Sequence, residues 1–551
     1  MSSLNPQTPF RQVPECQPGV SESEQGSVSR AAGVVSFFTL LSRILGLVRD
    51  MVVARYFGAE MAADAFFVAF RIPNLLRRLF AEGSLTIAFI PVFTETLTRK
   101  SKEDALEVAR AVLTLLSLIL AVVTVLGILL SPWIVRIQAY GFGGGGPKYD
   151  LTVLLTRITF PYILLVSVVA FFSGILNSLR HFGAPAAAPI FLNVGIIGAT
   201  LWISPHCPQP IVGVAVGVLI GGVMQILLQL PWLYRKGVSL APCWMPGHPA
   251  VRRIGLLMVP AVFGSAIYQI NQFMGTLLAS FLPEGSISWL YYADRLVEFP
   301  LGVFAIAIST AALPSLSKQA ARKDMEGFKE TLSHALRLVF FITIPSMAGL
   351  IILGGPIIHL FFERGAFDAF STLMTAKALL FYSLGLWAFS GVRVMVSAFY
   401  AVQDTRTPVL VAAVAMAAHL LFSLLLMGPL RHGGLALALS LASGIQFCLL
   451  VAILNRRVGF LDARPILVSA GKSLTASLAM GLVIHFLQGR WLGDLLEGEL
   501  WRHAVALFGI ILVGTAVYFS SARLLRCREL ASVKEILGPF YRGLRRMGHH
   551  G

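Results

Sequence analysis

Charge is what this chain has least of. Only 13% of its 551 residues are Asp, Glu, Lys or Arg, while 56% are hydrophobic and the mean hydropathy is +0.77. A globular chain carries about a quarter charged residues, so roughly half of the usual solvating surface is missing. That deficit excludes an ordinary water-soluble protein, which at this length would divide into domains of roughly 100–200 residues. Cysteine is scarcer still in number. Cys16, Cys207, Cys243, Cys448 and Cys527 are odd in number, scattered and without ligand spacing, which excludes a disulfide framework or a zinc module. The eleven histidines show no metal spacing either. The glycine run from Gly141 to Gly146 is not followed by Lys-Ser or Lys-Thr, so it is a loop rather than a phosphate cradle. No nucleophile–base set or paired carboxylates stand at the end of an apolar stretch, and no enzyme chemistry is expected.

What is present in quantity is apolar sequence. Stretches fall at 31–57, 61–95, 105–132, 151–179, 185–204, 209–234, 254–282, 286–317, 331–354, 372–402, 407–428, 433–455, 467–488 and 499–522. Spanning hydrocarbon takes about 20 residues with every backbone group paired internally. The fold class is therefore an all-α polytopic membrane protein of about fourteen transmembrane helices. Pro73, Pro161 and Pro300 lie inside spans and should kink or break them.

An even span count puts both ends on one side. Segments on that side carry Arg99, Lys100, Lys102, Arg180, Arg235, Lys236, Arg252, Arg253, Lys318, Arg322, Lys323, Lys329, Arg406, Arg456, Arg457, Arg464 and Lys472. The alternate segments carry only Arg136, Lys148, Arg364, Arg431, Arg490 and Arg502. The basic-rich side is cytoplasmic by the positive-inside rule, so both termini are expected in the cytoplasm. The net charge of +17 is thus spread over loops rather than gathered in a patch, and no nucleic-acid partner is expected. Residues 1–30 are polar, lack an apolar signal core, and read as a disordered cytoplasmic tail. Residues 523–551 read as a basic cytoplasmic tail suited to anionic lipid.

The chain repeats itself. Ala88-Phe89-Ile90-Pro91 recurs as Ala311-Ala312-Leu313-Pro314, Arg99-Lys100 as Arg322-Lys323, and Pro185 as Pro408, all at an offset of 223 residues. Two arrangements fit: inverted halves of seven spans, or parallel halves of six with two spans appended. The pairing of span two with span eight favours the second. The domains are then an N-lobe over 31–234, a C-lobe over 235–456 and an appended pair of spans over 457–522. Repeats packed around a central site are a transporter architecture.

Charges inside spans cost about 2.5–3.5 kcal/mol each even on insertion scales, and here they concentrate. Span one carries Arg43, Arg49 and Asp50. Span two carries Asp64, Arg71, Arg77, Arg78 and Glu82. Span eight carries Asp294, Arg295 and Glu298. Arg43 and Asp50 share a helix face, Glu82 follows Arg78 by one turn, and Arg295 can meet Glu298 three residues on. Self-neutralising helix pairs that hold the bundle together are the alternative reading for Arg78–Glu82 and for Asp294. Yet basic residues exceed acidic ones on spans one and two, so net positive charge remains. Guanidinium is always charged, planar and able to grip two oxygens, which points to an anionic, phosphate-bearing cargo.

Two blocks carry a resemblance. Ser42-Arg43-Ile44-Leu45-Gly46-Leu47-Val48-Arg49-Asp50, with the continuation from Asp64 through Arg71-Ile72-Pro73-Asn74 to Arg77-Arg78 and Glu82-Gly83, is similar to the MurJ (MviN) lipid II flippases. Tyr291-Tyr292-Ala293-Asp294-Arg295-Leu296-Val297-Glu298-Phe299-Pro300 resembles their second hallmark. The resemblance implies two six-helix lobes in a V, with the last two helices forming a groove for a polyprenyl tail. It implies lipid II, an undecaprenyl-pyrophosphate glycolipid, as substrate, moved by alternating access across the bacterial inner membrane. A flippase for another polyprenyl-linked oligosaccharide is the alternative. Arg43, Arg49, Arg77 and Arg295 are implied to bind substrate, with Asp64 implied to matter beside them; Asp50, Arg78, Glu82, Asp294 and Glu298 are the further supporting cavity charges that the spans themselves point to. No cofactor is implied, and the cycle is coupled to a monovalent cation or to the membrane potential. The polar N-terminal extension of about thirty residues is not a family requirement.

Overall fold

The computed structural model describes residues 22–76, 86–459, 462–491 and 500–532, and among these there are helices, turns and loops but no strand. The first group of helices is α1 (Glu22–Phe57), α2 (Met61–Leu76), α3 (Thr86–Arg99), α4 (Lys102–Leu129), α5 (Ser131–Gln138), α6 (Pro147–Thr159), α7 (Tyr162–Ser178), α8 (Gly183–Trp202) and α9 (Ile211–Arg235). The second is α10 (Pro249–Ser280), α11 (Ser286–Pro300), α12 (Ile306–Ala321), α13 (Met325–Phe362), α14 (Ala369–Ser383), α15 (Leu386–Ala401), α16 (Arg406–Leu430) and α17 (His432–Val458). Two more follow, α18 (Ala463–Trp491) and α19 (Leu500–Leu524).

The offset of 223 runs through the helix ends. Lys102 begins α4 and Met325 begins α13; Ser178 ends α7 and Ala401 ends α15. Gly183 and Arg406 open α8 and α16, while Arg235 and Val458 close α9 and α17. Each half also breaks its fourth span at the same place. Phe160 and Pro161 interrupt α6–α7, where Pro161 has no amide to donate; Leu384 and Gly385 interrupt α14–α15, which bend by 43°. Two parallel repeats of six spans with α18 and α19 appended follow from this, and inverted halves of seven do not.

Among the described residues, ten helices, or eleven with the bent α14–α15 pair, are long and apolar enough to cross a membrane. The other expected spans fall on α1, on α2 with α3, and on α10. Helix α1 carries Arg43, Arg49, Asp50 and Arg55, and α2 is separated from α3 by residues 77–85, outside the described residues. The expected tail over 1–30 needs a correction at its end, because α1 begins at Glu22. Hydropathy marks where a span starts, and a helix can start earlier in polar sequence. Residues 1–21 lie outside the described residues.

One hydrophobic core joins the repeats, from Val53, Phe66 and Phe67 through Trp289 and Tyr292 to Phe340 and Phe399. A second centres on Phe89, Phe93 and Phe171 of the first repeat and takes in Val251 and Ile254 of α10. A third fixes α18 and α19 on α13 through Met480, Ile484, Ile510 and Tyr518, whose hydroxyl donates to the Phe341 carbonyl at 2.6 Å. Leu478, Leu482, Phe508 and Leu512 face outward on α18 and α19. In lipid such side chains need no cover, since the surroundings are as apolar as a protein interior.

Candidate functional site

Two charged sites join the repeats. The first lies at the end of the molecule that holds the α1–α2 turn. Asp64, fully buried in the first turns of α2, points at the N-terminus of α11. Its carboxylate accepts from the Gly285 amide at 2.9 Å and from the Ser288 amide and hydroxyl at 2.9 and 2.7 Å. Lys148, at the start of α6, completes the set at 2.7 Å. A helix N-terminus offers unpaired amides and partial positive charge, so a buried carboxylate is at home there. Glu284 returns the favour by accepting from the Met61 amide at 2.6 Å.

Backbone contact closes the same end. The Ala366 amide donates to the Arg55 carbonyl at 2.9 Å. Gly58 sits at φ +59° against Ala366, where a Cβ would collide with the Ala366 carbonyl oxygen. A side chain here would be excluded twice, by the left-handed conformation and by the neighbour.

The second site lies deeper, between α1, α8 and α11. Arg49 and Asp50 are adjacent on α1, yet the long arginine side chain curls back to donate from Nη2 and Nε to Asp50 Oδ1 at 2.7 and 3.0 Å. Side-chain exposure is 13% for Arg49 and 4% for Asp50, a buried pair that either partner's loss would leave uncompensated. Asn193 of α8 orients Arg49, accepting from Nη1 at 3.1 Å while its own amide donates to the Ser42 carbonyl. From the other repeat, Arg295 places Nε 3.5 Å from Asp50 Oδ2 and donates from Nη1 to Glu298 at 3.0 Å.

Tyr291 ties the two together. Its hydroxyl accepts from Arg49 Nη2 at 3.2 Å and from Arg295 Nη2 at 3.0 Å, and donates to Asp50 Oδ1 at 3.3 Å. Its ring stacks on Phe67 with centroids 3.9 Å apart and lies under the Arg295 guanidinium at 4.8 Å. Two guanidinium groups from opposite repeats thus converge on one carboxylate and one phenol.

Of the residues expected from sequence, the structure brings together Arg49, Asp50, Arg295 and Glu298. Asp64 stands at the closed end. Asp294 lies on the same face of α11, half-buried, at the repeat position of Arg71. Arg71 donates to Thr276 and to the Gln272 carbonyl on α10. Arg43 is exposed and lies against Gly302. Arg77, Arg78 and Glu82 lie outside the described residues. Sequence reasoning missed Asn193, Ser288 and Tyr291, which are neutral, and treated Lys148 only as a loop charge.

A bundle of two parallel helical repeats, closed on each other at one end and holding opposed arginines between them, is a transporter rather than an enzyme. The fold is that of multidrug exporters: a MATE-family transporter solved in an inward-facing conformation aligns with a TM-score of 0.64 at 14% identity, over 77% of this chain and 98% of that one. Residues 53–505 match the sequence model of the family described as Lipid II flippase MurJ, and the chain belongs to that family. The Vibrio cholerae protein named "Probable lipid II flippase MurJ" is 38% identical over 91% of this chain and 97% of its own length. The Burkholderia cenocepacia "Lipid II flippase MurJ" is also 38% identical, over 78% of this chain and 84% of its own. A solved "Lipid II flippase MurJ, inward closed conformation" aligns with a TM-score of 0.74 at 29% identity, over 89% of this chain and 98% of that one.

Proposed function

We propose that this chain flips lipid II from the cytoplasmic to the periplasmic leaflet of the bacterial inner membrane, for peptidoglycan synthesis, with both of its termini in the cytoplasm. One observation carries the reading. Arg49 and Arg295, from opposite repeats, share the Asp50 carboxylate between them. A pyrophosphate has more charge and more oxygens than one carboxylate, so it can compete for both guanidinium groups at once.

In this orientation the end closed by Asp64 and Gly58 is periplasmic, and the head group enters from the cytoplasm. The pyrophosphate engages Arg43, Arg49 and Arg295, with Arg77 as a further expected ligand, and the polyprenyl tail stays in lipid against α18 and α19. Engagement from both repeats draws them together on the cytoplasmic side, and the Asp64 contacts part on the other. No bond in the cargo is made or broken. The membrane potential biases export of an anion, at about 2.3 kcal/mol per charge per 100 mV.

The test is rescue of a cell depleted of its own lipid II flippase, with wild type, Arg49→Ala and Arg295→Ala at matched membrane levels. Rescue by wild type and loss in both variants supports the reading. A well-expressed wild type that does not rescue moves the cargo to another polyprenyl-linked oligosaccharide. Rescue by both variants removes the site.

A further inference from the structure

Arg43 differs from Arg49 and Arg295, the other two expected ligands among the described residues. Arg49 and Arg295 are held by Asp50, Tyr291, Asn193 and Glu298, whereas Arg43 makes no hydrogen bond or ion pair among the described residues. What locates it is a backbone. Helix α11 ends at Pro300, and residues Leu301–Ala305 form a single wide π turn before α12. Such turns come from one extra residue in the helical path, and they are frequent at functional sites. The π turn displays Gly302 toward the first repeat. A Cβ at Gly302 would collide with Nη1 of Arg43 and stand only 2.6 and 2.7 Å from its Nη2 and Cζ. The guanidinium rests where any other residue at position 302 would put its side chain.

We propose that Gly302 is a positioning residue for Arg43: the bare π turn of the second repeat seats the guanidinium of the first, leaving its donors free for the incoming anion. The seat gives the cavity one uncommitted arginine beside two committed ones. Arg43 then makes the first contact with a phosphate, and the Asp50-held pair exchanges partners afterwards. Because the clashing atoms are the far end of a flexible side chain, a methyl at 302 moves Arg43 away without breaking the helix. The ligand role of Arg43 rests on the proposed function; the seat itself does not.

The two are separated by a cycle of four proteins: wild type, Gly302→Ala, Arg43→Ala and the double variant, each tested for lipid II binding in detergent at matched purity. Gly302→Ala is expected to weaken binding about tenfold, a typical effect of losing a charge-assisted contact, and by as much as Arg43→Ala does. The double variant should bind no more weakly than Arg43→Ala alone. Unchanged binding in Gly302→Ala, or additive losses in the double variant, would overturn the seat. The bulkier Gly302→Val tests the seat without ligand. If it fails to accumulate in membranes and Arg43→Ala restores it, the two residues meet as described; if it fails on both backgrounds, Gly302 serves only its own helix and the proposal falls. A wild type that binds no lipid II counts against the proposed cargo, and the accumulation experiment still decides the seat.

Discussion

Tyr291 carries no charge, yet it touches three of the charges in the deeper site. Its hydroxyl is the one group bonded to Arg49, Asp50 and Arg295 together, so it sets the spacing of the two arginines. Tyr291→Phe keeps the stack on Phe67 and removes only the bridge. Hydrogen bonds to charged groups are worth about 1.5–3 kcal/mol, so flipping in proteoliposomes should fall by about tenfold or more. The thermal midpoint should fall as well, because the bridging bonds belong to the folded state. A variant that flips at the wild-type rate would show that Asp50 alone organises the site. Asp64 makes a different prediction. Asp64→Asn leaves Lys148, a largely buried ammonium, without its counter-charge, and weakens the cap on α11. A loss of about 1–3 kcal/mol in stability is expected, read as a lowered midpoint in detergent. Sequence showed the charged half of both sites because a charge in an apolar run stands out. It did not show the neutral half. Asn193 within Phe191-Leu192-Asn193-Val194 and the tyrosine of a Tyr-Tyr pair carry little hydropathy signal, and what makes them matter is a neighbour more than 140 residues away.

At the scale of elements, spans were legible and helices less so. Apolar runs give the number and direction of crossings, but a span can be two helices, as α6–α7 and α14–α15 are, or two helices joined by a π turn, as α11–α12 are. Pro161 and Pro300 announce those breaks because each removes a backbone donor. The matching break at Leu384, the repeat position of Pro161, has no proline, and only the repeat offset points to it. Caps are readable too. The run Asp404-Thr405-Arg406-Thr407-Pro408 reads as a helix start capped by Asp404 or Thr407, and it is Asp404 whose Oδ1 accepts from the Arg406 and Thr407 amides at 3.1 and 3.0 Å, while Arg457 closes over Oδ2. Burial pulls this carboxyl upward, but the Thr407 hydroxyl and amide and the Arg457 guanidinium outweigh it and hold it below the ordinary carboxylate value. A carboxyl lowered on folding adds stability above its unfolded value and loses it as pH falls through the folded one. Asp404→Ala should therefore cost about 0.5–2 kcal/mol at neutral pH, a usual figure for a lost N-cap. The difference from wild type should shrink in acid, where the wild-type carboxyl is protonated and the charge contribution to its cap is gone. Melting curves across pH check this, and a constant difference would show that charge plays no part in the cap.

For the whole molecule, the question is whether closure at the Asp64 end is a state of a cycle or a fixed joint. The contacts argue for a state. They are polar and backbone-mediated: Asp64 on the α11 amides, the Met61 amide on Glu284, and Arg55 and Ala366 joined through main chain. Groups of this kind can exchange partners with water when the repeats part, so separation does not strand them. The continuous apolar core beneath them supplies a surface about which two rigid repeats can rock, as parallel-repeat transporters do. If the end must open for release, holding it shut must stop transport. In a background freed of the five native cysteines, cysteines at Met61 and Glu284 should join through a short reducible thiol cross-linker, since the Glu284 carboxylate already reaches the Met61 main-chain amide at 2.6 Å. Cross-linked protein in proteoliposomes should flip no lipid II, and reduction should return the full rate. Binding of lipid II added from the cytoplasmic side should survive the cross-link, because the arginine site lies on the other side of the closure. Flipping that continues at full rate in completely cross-linked protein would mean that the cargo leaves by another path. Loss of binding together with flipping would mean that the closed end and the arginine site move as one unit.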